Sequence, residues 1–353
     1  MAKLRLGVIG AGSWAVQSHL PNFAKRRDEV EFVGVARKGT ELLAKIKDDW
    51  AFEIASEDYR DVIDAGMDIC LVGSPHGLHY EHAKAALEAG AHVLCEKPFT
   101  VAPAHAWELV EIADERNLHL VVSYGWNYFP WMREAKRMME EQGIGEVEEM
   151  AIHMSSVTRD LLANLDSYPQ ASPDAVPEPA TWTDPRNGGG YGQAQLSHAL
   201  GAALWLTGLR GESVFALMKA VLDAPVEHHD ACVVRYTNGA IGTMAGASAH
   251  TGANDNRHQL EIRAMGSEGE FTIDIGRDRL SLWRADGFVA NPELDAGALF
   301  YDCDGPPNAL VDLALGKDVQ NCSPGELGAR SVEILAAAYR SAESGQLESV
   351  RAA

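Results

Sequence analysis

The stretch KLRLGVIGAGSWA, residues 3–15, decides how the rest of the chain is read. KLRLGVI reads as a strand. The residues after it, Gly10-Ala11-Gly12-Ser13-Trp14-Ala15, form a G-x-G-x-x-A turn that opens a helical segment. Gly10 permits the tight turn, Gly12 lets main chain approach a pyrophosphate, and the small Ala15 lets helix and strand pack closely. Free N–H groups and the dipole at a helix start hold negative charge. A lone match of this kind is weak, and its weight comes from lying between a strand and a helix.

Working outward, VEFVGVA (30–36), MDICLVG (67–73), AHVLCE (91–96) and HLVVSY (119–124) also read as strands. Helix-like segments lie near 15–27, 40–48, 57–64, 78–89 and 104–116. Strands alternating with helices predict a parallel sheet covered on both faces, with right-handed crossovers. Residues 1–125 are therefore expected to form a doubly wound Rossmann domain. Beyond about residue 145 the texture changes. VEEMAIHMSSVTR (147–159) and VFALMKAVL (214–222) read as strands, and residues 230–249 as a hairpin turning at Asn238-Gly239. A further antiparallel run covers 258–284, with helices near 194–206, 306–315 and 325–343. Residues 126–353 are thus expected to form an α+β domain on a large open, mostly antiparallel sheet, its last helix packing back on the first domain. The Pro-rich segment 160–187 is too long for a plain connector and reads as a functional loop.

Length supports two domains: 353 residues exceed what most single cores accommodate. The net charge of −21 disfavours DNA and RNA as partners, and an anionic ligand would need a local positive device. No apolar run approaches the ~18–20 residues of a membrane helix. The N-terminus enters a strand without a signal-cleavage pattern, so a cytoplasmic location is expected. Five cysteines without a C-x-x-C pair fit reduced thiols and argue against a zinc site.

The end of the second strand bears on the cofactor. A carboxylate there would accept a ribose 2′-hydroxyl; this chain has Ala36 followed by Arg37 and Lys38. Two cations and no acid at that tip suit a 2′-phosphate, so NADP(H) is favoured, with NAD(H) the alternative.

The segment 71–100 contains Ser74-Pro75-His76, a helix with His79 and His82, and a strand ending in Glu96-Lys97-Pro98. Ligands of open α/β sheets sit at the carboxyl ends of the strands, which puts Lys97 at the same crevice as Gly12. With GVIGAGSWA, SPHGLHYEHAKAALEAGAHVLCEKP, GIGEV (143–147) and GGGYGQAQLSHALGAALWLTG (188–208), the chain resembles the Gfo/Idh/MocA oxidoreductases. The resemblance implies hydride transfer between NAD(P) and a sugar, cyclitol or related polyol, in a homo-oligomer such as a dimer or tetramer. It implies that Lys97 lies beside the nicotinamide and the reacting hydroxyl, and that the Lys97-Pro98 peptide is cis. It makes Gly10, Gly12, Ser13, Trp14, Ala15, Arg37, Lys38, Ser74, Pro75, His76, His79, Glu96, Lys97 and Pro98 the expected cofactor site. Chemistry supports the lysine independently, because a cation within hydrogen-bond reach stabilises the oxyanion that develops as a carbinol loses hydride.

The family commonly carries an Asp and a His four residues apart after the GGG turn. His198 matches the His, while Ala194 stands at the Asp position, flanked by Gln193 and Gln195. His198 is the second expected catalytic residue, and its proton circuit lacks the usual carboxylate. Asn127, Tyr128, Arg159, Trp182, Arg186, Gln195 and His198 are the candidate substrate-binding residues. No metal is expected, although His76, His79 and His82 recur at helical spacing. Two alternative readings are a glycosidase that oxidises its sugar transiently and a non-catalytic NADP sensor.

Overall fold

Six short, mostly apolar strands make the first sheet of the computed structural model, which describes residues 2–166, 179–295, 297 and 301–351. They are β1 (Leu4–Ile9), β2 (Val30–Ala36), β3 (Ile54–Ser56), β4 (Ile69–Val72), β5 (His92–Cys95) and β6 (Leu120–Val122). All pair in parallel, in the order β3-β2-β1-β4-β5-β6, which is the Rossmann order. Helices α1 (Leu20–Ala24), α2 (Thr40–Trp50), α3 (Tyr59–Asp64), α4 (His79–Glu88) and α5 (Pro103–Glu115) link them. Burial on both faces explains the continuous Val, Ile and Leu runs of β4, β5 and β6. The segment Ile54–Ser56 was not expected as a strand, because three half-buried residues carry no period to read. The first helix also differs from expectation. It is wound as a π-helix over Ala15–His19 before α1 begins. Pro21 lacks the N–H that would continue the preceding winding.

Next come α6 (Pro130–Glu141), β7 (Val147–Ser156), the short α7 (Arg159–Leu162) and α8 (Ala180–Thr183), and α9 (Ser197–Thr207). The second sheet adds β8 (Gly211–Lys219), β9 (His229–Tyr236), β10 (Ile241–Ser248), β11 (Gln259–Gly266), β12 (Gly269–Asp274), β13 (Arg279–Arg284), β14 (Val289–Ala290) and, after the last helices, β15 (Glu348–Ser349). Its order is β14-β13-β12-β11-β7-β10-β9-β8-β15; β10 and β7 run parallel and the other pairs antiparallel. Asn238-Gly239 turns β9 into β10, with Gly239 at φ 89° and the Asn238 Oδ1 accepting from the Ala240 N–H. In β9, Asp230, Cys232, Val234 and Tyr236 face inward while Ala231, Val233 and Arg235 face out. Helices α9 and α11 (Gly325–Ser344) cover the inner face.

The two sheets are joined through the C-terminal helices. Leu310 and Val311 of α10 (Gly305–Ala314) are fully buried in the same cluster as Leu6, Val8 and Leu71. Helix α11 packs against α5, where the Trp107 indole donates to Glu333 at 2.8 Å. Just before it, Ser323 exchanges hydrogen bonds with the Val122 main chain. These contacts hold the carboxyl ends of the first sheet against the start of α9.

Candidate active site

The turn after β1 has two glycines with different physical reasons. Gly10 has φ 87°, and a Cβ there would overlap the Ser74 backbone of the neighbouring strand end. A Cβ at Gly12 would meet only the Gly73 carbonyl, at 3.7 Å, so its open side is a cradle that main chain leaves for a ligand. Ala15 lies buried behind the turn, 3.5 Å from where a Gly73 Cβ would stand. A cavity of about 790 Å³ runs from this cradle along the strand ends.

At one end the cavity is lined by Arg37 and Lys38, and also by Glu57 and Asp58 from the β3–α3 connection and Tyr59 and Arg60 at the start of α3. The sequence places no acid at the β2 tip; the fold brings two from elsewhere. Both are engaged: Glu57 accepts from the Gly39 N–H at 2.6 Å, and Asp58 caps α3 at the Arg60 N–H and pairs with its guanidinium. The Arg37 guanidinium donates to the Ala11 carbonyl at 3.0 Å, which ties it to the glycine turn.

Along the middle run Ser74, Pro75, His76, His79 and His82. The two His79 ring nitrogens lie 2.8 Å from the Ser74 and Pro98 carbonyls, to one of which the neutral ring donates, and His82 bonds the Ser74 hydroxyl at 2.9 Å. Helical spacing thus serves to pin two strand ends together. Burial is the main cause lowering all three imidazoles, His76 to about 3 and His82 to about 4.

At the far end stand Glu96 and Lys97, with a cis Lys97-Pro98 peptide. Burial alone would raise the Glu96 carboxyl. The bond from His19 at 2.5 Å and the charges of His19 and Lys97 outweigh it and hold Glu96 down at about 2. Lys97 donates from Nζ to the Ala194 carbonyl at 3.0 Å and lies 5.8 Å from the centre of the Trp182 ring. Burial lowers its ammonium from the ordinary lysine value, with Glu96 opposing. Where the sequence lacks an Asp side chain at Ala194, the main chain of that residue meets the lysine. Its place is set by the π-wound turn Gly192–Leu196, whose Gly192 and Gln193 N–H groups are held by Glu227 and Tyr339.

Gln195, His198, Trp182, His258 and Tyr301 complete this end. His198 is buried against Trp126 and Tyr301, with ring centres at 5.7 and 5.2 Å. Burial first, then Lys97 and His258, push its pKa well below the usual imidazole value. His19, Tyr59, Arg60, His258 and Tyr301 were not read as site residues. All but Arg60, which pairs with Asp58, are distant in sequence from what they meet, and only His19, on the helix after the glycine turn, was within reach of sequence reasoning.

Several expected residues lie elsewhere. Asn127 is fully buried and donates to the Gly201 and Cys322 carbonyls, and Tyr128 bonds Asn321 and Ser323; both pin chain segments and neither lines the cavity. The Arg159 carbonyl accepts from His228. Arg186 is exposed and forks onto Asp184. Pro98 is buried beside the cavity. Of the expected functional loop 160–187, residues 167–178 lie outside the described residues. Among the described residues, the cluster bringing three metal-capable atoms within 4.8 Å of one another is His19, Glu96 and Cys303, where the carboxylate is already bonded to the imidazole.

Comparison with known proteins adds two matches at the family level. Residues 4–124 match the profile described as the oxidoreductase family with an NAD-binding Rossmann fold, and residues 132–272 match the C-terminal domain of Gfo/Idh/MocA proteins. A D-xylose 1-dehydrogenase (NADP(+)) of Hypocrea jecorina is 34% identical over 155 residues, which are 41% of this chain and 39% of that protein. A levoglucosan dehydrogenase of Pseudarthrobacter phenanthrenivorans is 23% identical over 274 residues, 69% of this chain and 65% of that one. An oxidoreductase domain protein from Kribbella flavida superposes with a TM-score of 0.80 at 20% identity, over all of both chains. A levoglucosan dehydrogenase in complex with NADH and L-sorbose does so with a TM-score of 0.79 at 20% identity, again over all of both chains.

Proposed function

The chain belongs to the Gfo/Idh/MocA oxidoreductase family, and on that premise we propose that it transfers hydride between NADP(H) and a hydroxyl-bearing carbon of a small uncharged sugar or polyol. The observation that carries this reading is one cavity lined by both an open glycine cradle at Gly12 and a desolvated Lys97. When bound, the dinucleotide supplies the hydride acceptor or donor. Gly10, Gly12 and the adjoining helix start would hold its phosphates, and Arg37, Lys38 and Arg60 its 2′-phosphate. That Glu57 and Asp58 are already bonded supports NADP(H) over NAD(H). The named relatives act on xylose and levoglucosan, in keeping with a sugar substrate.

The chain's own groups do the remaining work. Lys97 polarises the reacting oxygen, the Ala194 carbonyl holds the ammonium in place, and Glu96, which accepts from the Lys97 main-chain N–H, favours its charge. The Trp182 and Tyr301 faces supply apolar walls for a sugar ring, and Gln195 a hydroxyl partner. Among the described residues, Lys97 is the cation at this end, which suits a neutral substrate rather than an acid. The outward side chains Phe215, Leu217, Val233 and Ile241 form an exposed apolar face on the second sheet, in keeping with a homo-oligomer.

A panel of sugars, cyclitols and their keto forms, followed by absorbance of the reduced nicotinamide, tests the reading. Net turnover of at least one member with NADP(H) is expected. Cofactor retained without net reduction, alongside glycoside cleavage, would replace it with the glycosidase reading.

A further inference from the structure

Two glycines of the run GGGYGQAQ, residues 188–195, make room for side chains from distant elements. A Cβ at Gly190 would overlap the Glu227 carboxylate, and one at Gly192 would stand 2.9 Å from the Tyr339 hydroxyl. From this geometry we infer that Glu227 and Tyr339 are positioning residues for Lys97: through the turn they hold the Ala194 carbonyl where the lysine ammonium meets it. The inference deepens the oxidoreductase reading and rests on it for its kinetic consequence.

A helical run opens at Tyr191, and the first N–H groups of such a run need partners outside it. Glu227 and Tyr339 supply three. The Tyr191 N–H donates to the Glu227 carbonyl at 3.1 Å, the Gly192 N–H to the Glu227 carboxylate at 2.9 Å, and the Gln193 N–H to the Tyr339 hydroxyl oxygen at 3.2 Å. The Tyr339 hydroxyl donates in turn to the same carboxylate oxygen at 2.6 Å, which closes a ring of bonds around the turn. The next residue is Ala194. Its N–H bonds the Gly190 carbonyl at 3.0 Å, and its carbonyl takes Lys97 Nζ at 3.0 Å. The Gly190 N–H donates to the Trp182 carbonyl, also at 3.0 Å. The residue whose ring stands 5.8 Å from the ammonium is therefore tied to the same turn.

Both anchors belong to firmly placed elements. Glu227 stands just ahead of β9, where the His228 N–H donates to the Lys219 carbonyl of β8 and the Ser248 N–H of β10 to the His228 carbonyl. Tyr339 lies on α11, which packs on β8 and α9. Burial raises the Glu227 carboxyl above its ordinary value, against the bonds it accepts. The titratable groups facing it are Tyr339 on α11 and Asp230 and Cys232 on β9. Those facing Lys97 are Glu96, Cys303, His76, His79, His198 and His258. The two sets share no member, so the bonded route from Glu227 and Tyr339 to the ammonium is the turn itself.

Lysine-labelled, cofactor-free protein titrated by nitrogen-15 and carbon-13 spectroscopy, with Lys97→Met to assign the signal, reads the ammonium directly. Tyr339→Phe keeps the ring and removes only the hydroxyl. It should lower the Lys97 pKa by about one unit, tenfold in the protonation equilibrium, because the charged form loses a well-placed acceptor. Glu227→Ala should lower it at least as far. Glu227→Gln removes the same charge but keeps an oxygen that accepts both bonds, so it should recover most of what Glu227→Ala loses. An unmoved Lys97 pKa in Tyr339→Phe, or a Glu227→Gln that behaves as Glu227→Ala does, would overturn the inference whether or not any substrate turns over. Should Glu227→Ala not fold, Tyr339→Phe decides. With a substrate from the panel, Tyr339→Phe should lose about 10²-fold in kcat, the scale of a 1 Å misplacement at a reacting centre, with KM for the dinucleotide unchanged. If the wild type turns over a polyol and Tyr339→Phe keeps more than a tenth of its kcat, or loses cofactor affinity instead, the inference fails and the oxidoreductase reading survives. If the wild type binds cofactor and turns over no carbinol, that reading fails, and the Lys97 titration alone decides the positioning.

Discussion

Replacing Lys97 with methionine should separate catalysis from stability. Methionine keeps much of the stem and removes the ammonium that donates to the Ala194 carbonyl. Loss of one oxyanion-stabilising donor typically costs 10²–10³-fold in kcat, about 3–4 kcal/mol, so turnover should fall at least that far. Stability should move the other way or stay level. A charge-assisted bond worth roughly 1.5–3 kcal/mol is lost. The lowered pKa of Lys97 nevertheless means that desolvation of its ammonium outweighs the favourable charge of Glu96. The sign with pH follows from linkage. A base with a lowered folded pKa releases its proton in the folded protein before it does in the unfolded chain, so the wild type gains stability as pH rises between the two values. The advantage of Lys97→Met is therefore full below the lowered pKa and fades as pH approaches ~10.4. Thermal melts from pH 6 to 10.5, cofactor binding by fluorescence, and turnover on the best substrate make the assay. Two results would refute the reasoning. One is a variant that keeps more than a tenth of kcat, under ~1.4 kcal/mol of barrier. The other is a stability advantage that widens with pH.

Arg37→Ala should weaken NADPH binding tenfold or more while changing NADH binding far less, since charge-assisted bonds are worth roughly 1.5–3 kcal/mol. Equal losses in fluorescence titrations with the two cofactors would sink the 2′-phosphate assignment. Glu96→Gln should expose the acid side of the same linkage. The carboxyl is held at about 2, below its unfolded value, so its contribution is present above the unfolded pKa and lost as pH falls towards 2. The shift corresponds to about 3 kcal/mol at neutral pH. Denaturant titrations should show the gap between wild type and variant closing from about pH 4.5 downward; a gap still at its neutral-pH size at pH 2.5 would contradict the pairing with His19.

The Rossmann half was legible because its signals are local. A glycine turn between a strand and a helix, buried strands reading as unbroken apolar runs, and Glu96-Lys97-Pro98 at a strand end all lie within a few residues of their structural consequence. The hairpin at Asn238-Gly239 was legible for the same reason. Where a segment is three residues long, as in β3, the local pattern decided nothing; α6, amphipathic and opened by Pro130, carried a helix signal that went unread. Candidates chosen for their chemistry alone fared unevenly. Trp182 and Gln195 line the cavity, whereas Asn127 and Tyr128 spend their polar groups on buried main chain and partner side chains.

By itself the sequence determined the alternation of elements, the glycine cradle, the cations at the β2 tip and the lysine at the end of β5. Each depends on spacing along the chain and on the fixed rule that parallel strands deliver their carboxyl ends to one edge. Tertiary structure alone decided what those groups meet. His19 reaches Glu96 from 77 residues away, Glu57 and Asp58 arrive beside Arg37 from another strand, and the Ala194 carbonyl takes the place of a missing side chain. His258 and Tyr301 come to the same end of the cavity from the second sheet and the connection after it. The physical reason is that hydrogen bonding and desolvation act over a few ångströms of space, whatever the separation in sequence. Charge states such as the lowered Lys97 and Glu96 belong to the assembled site and to no residue within it.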